Sequence, residues 1–231
     1  MIKIENRLNK ANNLLKLKFL FLFLLTVIVI SPSLAQSVDD LWIHVRNDRA
    51  AQVQQLLDRG LDPNTRDGRG NPILMQAVRD NAWSVFDVVL VHPDTDIKII
   101  NGYQETPLMY VSLVGDLERA RRLVQMGALV NHLGWTPLHY AASTGKIELV
   151  QYLLAQGAMP NAPAPDGSSP IMMAAQAGAN DTVQVLLAAG ADPEAVNTNG
   201  LNAVRAARAR GHNRLADALD EVIAQRRAQQ R

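Results

Sequence analysis

The stretch Gly134-Trp135-Thr136-Pro137-Leu138-His139-Tyr140-Ala141-Ala142 decides how the rest of the chain is read. Threonine, proline and histidine within four positions could form a small catalytic or metal motif, or could mark the start of a helix. A threonine side chain can accept a hydrogen bond from a free N–H of the first helical turn, and proline at the first helical position loses no bond. Gly145 then ends a short helix. Ile147, Val150, Leu153 and Leu154 follow at helical spacing as one apolar stripe, and Gly157 supplies a left-handed stop. The unit is a helix–turn–helix with polar connectors.

The same skeleton recurs along the chain. TPLHYAASTGKIELVQYLLAQGA at 136–158 matches TPLMYVSLVGDLERARRLVQMGA at 106–128 and SPIMMAAQAGANDTVQVLLAAGA at 169–191. With more drift it appears from Asn71, Asp39 and Asn202, giving units that start near 39, 71, 106, 136, 169 and 202. With Leu41, Ile73, Leu108, Leu138, Ile171 and Val204 equivalent, the steps are 32, 35, 30, 33 and 33 residues. A single unit buries too few side chains to offset its own ordering entropy, so each must stack on its neighbours.

The phrases TPLHYAA, LLAQGA, LLAAGADP and LLDRGLDPN resemble the ankyrin repeat, over about Val38 to Ala224. That resemblance implies an all-α fold, a solenoid of about six helix–turn–helix repeats with β-hairpin-like fingers between them. It also implies a protein partner held along the fingers and the concave helical face, no shared enzymatic activity and no cofactor.

The 231-residue chain begins with a basic, Asn-rich stretch, then the apolar run Phe19 to Ile30, then SPSLAQ. This is the layout of a secretory signal peptide over residues 1–35, with Ser33 and Ala35 before a cut at Gln36. Twelve apolar residues fall short of the roughly 20 that a spanning helix needs, which disfavours an uncleaved anchor. The expected domains are the signal peptide, 1–35, and the repeat domain, 36–231. Losing residues 1–35 removes five Lys/Arg and one Glu, leaving 18 bases and 21 acids, a net charge of about −3. No cationic face is left to assign to nucleic acid. The absence of cysteine excludes disulfides and thiolate metal sites. The chain is expected to be exported, to a bacterial periplasm, and monomeric, acting as an immunity or inhibitor protein or as an accessory protein of a periplasmic enzyme. The alternatives are a membrane-tethered scaffold that keeps its N-terminal segment, or an enzyme with an unrecognised site.

Only one unit in six carries the full Thr-Pro-Leu-His, so His139 reads as a helix-start hydrogen-bonding residue. His44, His92, His132 and His212 are scattered with no i, i+4 pair, whereas a zinc site needs three or four convergent ligands. Asp87, Glu118 and Glu148 read as members of solvated helix faces. No nucleophile elbow or P-loop is present.

Uneven spacing locates the candidate binding site. The 30-residue step predicts a stub finger at Asn131–Thr136, and the 35-residue step predicts one extra residue between helices and about one more in the finger before Thr106. By repeat register, the positions before the glycine that ends each first helix face the concave groove, and they read Val78-Arg79, Leu113-Val114, Ser143-Thr144 and Gln176-Ala177. The candidate partner-binding residues are therefore Trp135 in the short finger, Leu113 and Val114 beside it, Tyr103 in the longer finger and Val78. The short finger either presents Trp135 as an aromatic anchor or folds it inward over Leu113 and Val114. Tyr110 and Tyr140, at one repeat position, read as packing between helices. Arg205, Arg208, Arg210 and Arg214 read as a soluble cap on the last unit, the alternative being a basic contact for an acidic partner or lipid headgroups.

Overall fold

A computed structural model describes the backbone of residues 32–229 and the side chains of 38–229. The expected signal peptide falls largely outside the described residues. The chain divides into two compact units, Met1–Leu41 and Trp42–Arg231, and the second holds the repeats.

Twelve helices and no strands occur among the described residues. They run α1 Pro32–Arg46, α2 Ala50–Asp58, α3 Ile73–Arg79, α4 Trp83–Leu90, α5 Pro107–Val114, α6 Leu117–Gln125, α7 Pro137–Ser143, α8 Ile147–Ala155, α9 Pro170–Ala177, α10 Asn180–Ala188, α11 Ala203–Ala209 and α12 Asn213–Gln229. None of the described helices is long and apolar enough to cross a membrane. From α3 to α11 the odd-numbered helices form an inner row, each in contact with its predecessor and successor. An inner helix is short because it is packed on several sides at once. In α5, five of eight residues are buried, Pro107, Leu108, Met109, Val111 and Ser112. The outer helices need only one stripe: Ala120 and Leu123 in α6, and Leu149, Val150 and Leu153 in α8. The α8 stripe is rotated from the expected one. Leu149 replaces Ile147 and Leu154, which stay half-buried because the helix turns its 149/150/153 edge to the core.

The caps are those the sequence asks for. Thr136 Oγ1 accepts from His139 N at 3.4 Å and Thr106 Oγ1 from Met109 N at 3.3 Å. In return His139 Nδ1 accepts from Thr136 N at 3.2 Å, and Met109 Sδ from Thr106 N at 3.3 Å. Gly115 stops α5 in the left-handed region, φ 84°. In α7 the cap residue is Thr144 and Gly145 follows it.

Changes of period fall in the connectors. The loops between an outer helix and the next inner helix are 59–72, 91–106, 126–136, 156–169 and 189–202, so the third is three residues shorter than its two successors. Four of the five fingers close identically. Asp67, Asn101, Ala164 and Asn197 each donate N–H to the carbonyl four residues on, and each accepts from the N–H three residues on. An isolated antiparallel bridge, Arg66 with Pro72, marks the first as a rudimentary hairpin. The stub at Asn131–Trp135 has neither closing bond. Gly134 sits in it at φ 83°, with Pro165 Cγ of the next finger 3.3 Å from where a Cβ would lie. A side chain at 134 is opposed by backbone strain and by that ring.

At the other irregular step, the extra residue expected between α3 and α4 is absent: α4 starts ten residues after α3 starts, as α6, α8, α10 and α12 do after their inner partners, so Leu74 and not Ile73 is the equivalent of Leu108. The one extra residue of this step is not in the finger either. It lies at the end of α4, in Val91–Pro93, because the arm from Lys98 to Leu108 is as long as that from Asn161 to Ile171. The asparagine ladder makes this register visible. Asn64, Asn131 and Asn161 each donate to a carbonyl of the next repeat (Asp94, Gly157, Gly190) and accept the N–H two residues further on (Asp96, Met159, Asp192). Lys98 occupies the equivalent place between the second and third repeats, and that rung is missing there.

The outer helices reinforce the same junction. Asp87 of α4 takes Arg119 and Arg122 of α6 at 2.6 and 2.5 Å, and Arg119 also bonds Asp116 at 2.6 Å while lying 4.5 Å over the Trp83 ring. Asp87 is thus a paired bridge between repeats rather than a solvated acid. At the C-terminal end, Arg208 pairs with Asp217 and Asp220, Arg227 pairs with Glu194, and Arg226 donates to the carbonyls of Leu187 and Ala191 near the end of α10. The bond to Leu187 reaches a last-turn carbonyl of α10, a group that a helix terminus leaves without an intrahelical partner.

Candidate functional site in the inner groove

Two adjoining clefts open on the inner helices. One, about 190 Å³, is lined by Leu113, Trp135, His139, Tyr140, Ser143 and Met173. The other, about 380 Å³, is lined by Val78, Arg79, Glu105, Tyr110, Leu113, Val114 and Tyr140. Leu113 and Tyr140 belong to both, so the depression runs continuously across the second to fifth repeats.

Three of the five sequence candidates come together here. Leu113 is 40 % and Val114 42 % exposed, an apolar pair where the neighbouring repeats place Ser143-Thr144 and Gln176-Ala177. Trp135 takes an intermediate course between the two readings of the short finger. It stands edge-on to His139 and Tyr140, with ring centres 5.4 and 6.4 Å away, and is half-buried there. It forms a cleft wall with Leu113 and leaves Leu113 and Val114 open.

The other two candidates lie differently. Val78 is only 4 % exposed, so it is a cleft floor and not a solvent-facing position. It is the sixth residue of α3, the place of the fully buried Ser112 in α5, so the positions of the second repeat that match Leu113-Val114 are Arg79-Asp80. Tyr103 is 77 % exposed at its finger tip and lines neither cleft.

Residues not singled out as candidates complete the site. Glu105 precedes Thr106 as Trp135 precedes Thr136, and it is the hub of the groove. Its carboxylate accepts the Tyr110 hydroxyl at 3.0 Å, Asn101 Nδ2 at 2.8 Å and the Tyr140 hydroxyl. Burial, then the Glu105 charge and hydrogen bond, raises the Tyr110 phenol; burial, then the Glu105 hydrogen bond and charge, raises that of Tyr140. Both remain neutral donors. The tyrosine row is therefore half-buried groove wall whose hydroxyls converge on one carboxylate, and more than packing. The equal register of Glu105 with Trp135 and of Tyr110 with Tyr140 was the available signal.

His139 is almost fully buried below this surface. Its Nδ1 accepts from Thr136 N, which leaves Nε2–H to donate to Ser168 O at 3.0 Å, tying the fourth repeat to the next finger. The side chain is occupied in architecture on both nitrogens. Burial pushes its pKa below the usual histidine value, against a smaller opposing pull from the Ser168 carbonyl. With a folded pKa below that of the unfolded chain, the stabilisation is complete above about pH 6.5 and is lost as pH falls through the folded pKa. The melting temperature should accordingly drop between pH 7.5 and pH 5, and the drop should be smaller in His139→Gln, where the amide oxygen still accepts from Thr136 N. Equal drops in the two proteins would remove His139 from the pH response.

Among the described residues no three His, Asp or Glu side chains converge as a metal site would require. The arrangement is a recognition surface: apolar residues, three aromatics and one fixed carboxylate in a shallow open groove. The sequence matches the family of ankyrin repeats (3 copies) over residues 74–164 and again over 113–197. No curated protein matches the chain. The two matched segments together cover more than half of the chain, in register with the helix pairs and the groove they carry. The chain belongs to the ankyrin-repeat family, whose repeats typically serve as non-catalytic protein-binding modules.

Proposed function

We propose that residues 1–35 export the chain to a bacterial periplasm and that residues 36–231 hold a protein partner there without catalysis, as an inhibitor or immunity protein or as an accessory protein of a periplasmic enzyme. The observation that carries the binding reading is the open Leu113–Val114 pair beside Trp135. Buried aromatic and aliphatic anchors in a desolvated pocket supply most of the energy of protein interfaces. Unpaired apolar surface on a groove flanked by polar repeats is otherwise unfavourable.

The test is capture of partners from the native compartment by the purified protein, and by Trp135→Ala, Val114→Asp and the double variant. A partner retained by the parent should bind the double variant more weakly by 30-fold or more, about 2 kcal/mol. The variants should melt within about 1 kcal/mol of the parent, since both positions are partly exposed. Equal capture by all four proteins, with equal melting, removes the groove from the binding reading. The intact mass of the protein from the same preparation separates export from tethering, because a chain beginning at Gln36 leaves no anchor.

A further inference from the structure

We infer that the groove is built to seat a basic side chain, lysine or arginine, of its protein partner, with the cationic head at Glu105 and the aliphatic stem along Leu113 and Val114. This rests on the binding reading above and adds to it the chemistry of the occupant.

Glu105 is the only acidic residue lining either cleft. Its three bound donors are neutral, two phenols and an amide, so they fix the carboxylate without cancelling its charge. No lysine or arginine forms an ion pair with it among the described residues. A carboxylate offers about four acceptor sites, and three are taken. It is thus a preorganised negative centre in an apolar depression, where low-dielectric walls focus its field. Tyr110, Tyr140 and Trp135 in those walls add the attraction of aromatic rings for cations. A long basic side chain matches the remaining surface as well, because its methylene stem covers apolar area while its head stays polar.

Arg79 places the head within the groove. It is exposed at the second-repeat rim and lines the cleft on the Tyr110 side of the cluster. Its charge repels a guest cation from that side. The favourable seat is therefore the Tyr140 side, where the two clefts meet at Leu113. An apolar neighbour on the same partner segment would then reach the Trp135–Met173 end.

The experiment uses the purified protein and four simple probes at matched ionic strength: butylammonium, butylguanidinium, butanol and butyrate. The readout is the indole N–H resonance of Trp135, assigned with Trp135→Phe. Both cations should shift this resonance in a saturable way, butanol at least about fivefold more weakly, and butyrate not at all. Glu105→Gln should weaken the cations by roughly tenfold, and Arg79→Gln should tighten them by roughly twofold. Butyrate binding as well as the cations, or cation affinity unchanged in Glu105→Gln, overturns the inference. If Glu105→Gln melts too low to titrate, the exposed Arg79→Gln carries the test, and an unchanged or reduced cation affinity in it overturns the inference. Loss of partner capture in Trp135→Ala with no charge preference here would refute the basic occupant while leaving the groove as the binding site.

Discussion

Phe86→Ala should lower the unfolding free energy by about 3–5 kcal/mol and split unfolding into two transitions. Phe86 is completely buried in α4 and stands edge-to-face with Trp83 at 6.0 Å. Trp83 in turn carries the Arg119 guanidinium that Asp87 and Asp116 hold. This outer clamp matters more at this junction than its partial exposure suggests. The inner helices α3 and α5 are the least closely packed neighbours of the inner row, and the asparagine rung is absent at Lys98. The outer helices α4 and α6 also pack less closely than α2 with α4, α6 with α8 or α8 with α10, so the joint between the second and third repeats is thin and leans on the Asp87–Arg119–Trp83 side chains, and a cavity at Phe86 undermines it. In a linear array each repeat is stabilised by its nearest neighbours, so a weakened interface uncouples the segments on either side. Urea unfolding followed by fluorescence and by far-ultraviolet circular dichroism would show it. A single coincident transition, shifted by less than about 1 kcal/mol, would mean that the junction does not depend on this ring.

The second large effect is expected at Leu138→Ala, a loss of about 2–5 kcal/mol with the cooperative transition retained. Leu138 has no exposed surface and sits in α7, between the closely packed α5 and α9. The surrounding backbone is held by the Thr136–His139 cap and by the His139 bond to Ser168, so the site cannot collapse easily around a smaller side chain. Val204 is the register equivalent in the last repeat and is slightly exposed. Val204→Ala should cost less, because α11 has a neighbouring inner helix on one side only. Denaturant midpoints of the two variants measured together would decide it, and a larger loss at Val204 would contradict the reading of α7 as the centre of the stack.

What was legible in the sequence was what depends on neighbouring residues. Thr136, Pro137 and Gly115 act through local backbone geometry, and the period follows from counting, so the helix pairs and the short third finger could be read directly. The exposed pair Leu113–Val114 also followed from register alone. The site around Glu105 was harder, because its meaning lies in hydroxyl directions. Tyr110 and Tyr140 are 30 residues apart and look like packing until both are seen to reach one carboxylate. Val78 is buried because it is the sixth residue of α3, as the buried Ser112 is of α5, and pairing Ile73 with Leu108 had hidden this one-residue slip. Both extra residues of the 35-residue step were misread for a related reason: one arose from pairing Ile73 rather than Leu74 with Leu108, and the other lies outside the finger. Length alone cannot distinguish the end of α4 from the finger, whereas the Asn64 bonds to Asp94 and Asp96 can.

The confinement of length variation to connectors has a consequence for how such a surface changes over generations. From α2 onward every helix before the last keeps seven to nine residues while the inner helices from α3 to α11 start 30 to 34 residues apart. Deletions and insertions therefore act here as a separate channel of variation from substitution: removing three residues at a finger redraws the rim of the groove and leaves the stacked scaffold in register. A lineage can in this way exchange what the groove admits in one genetic step, without first passing through a less stable fold.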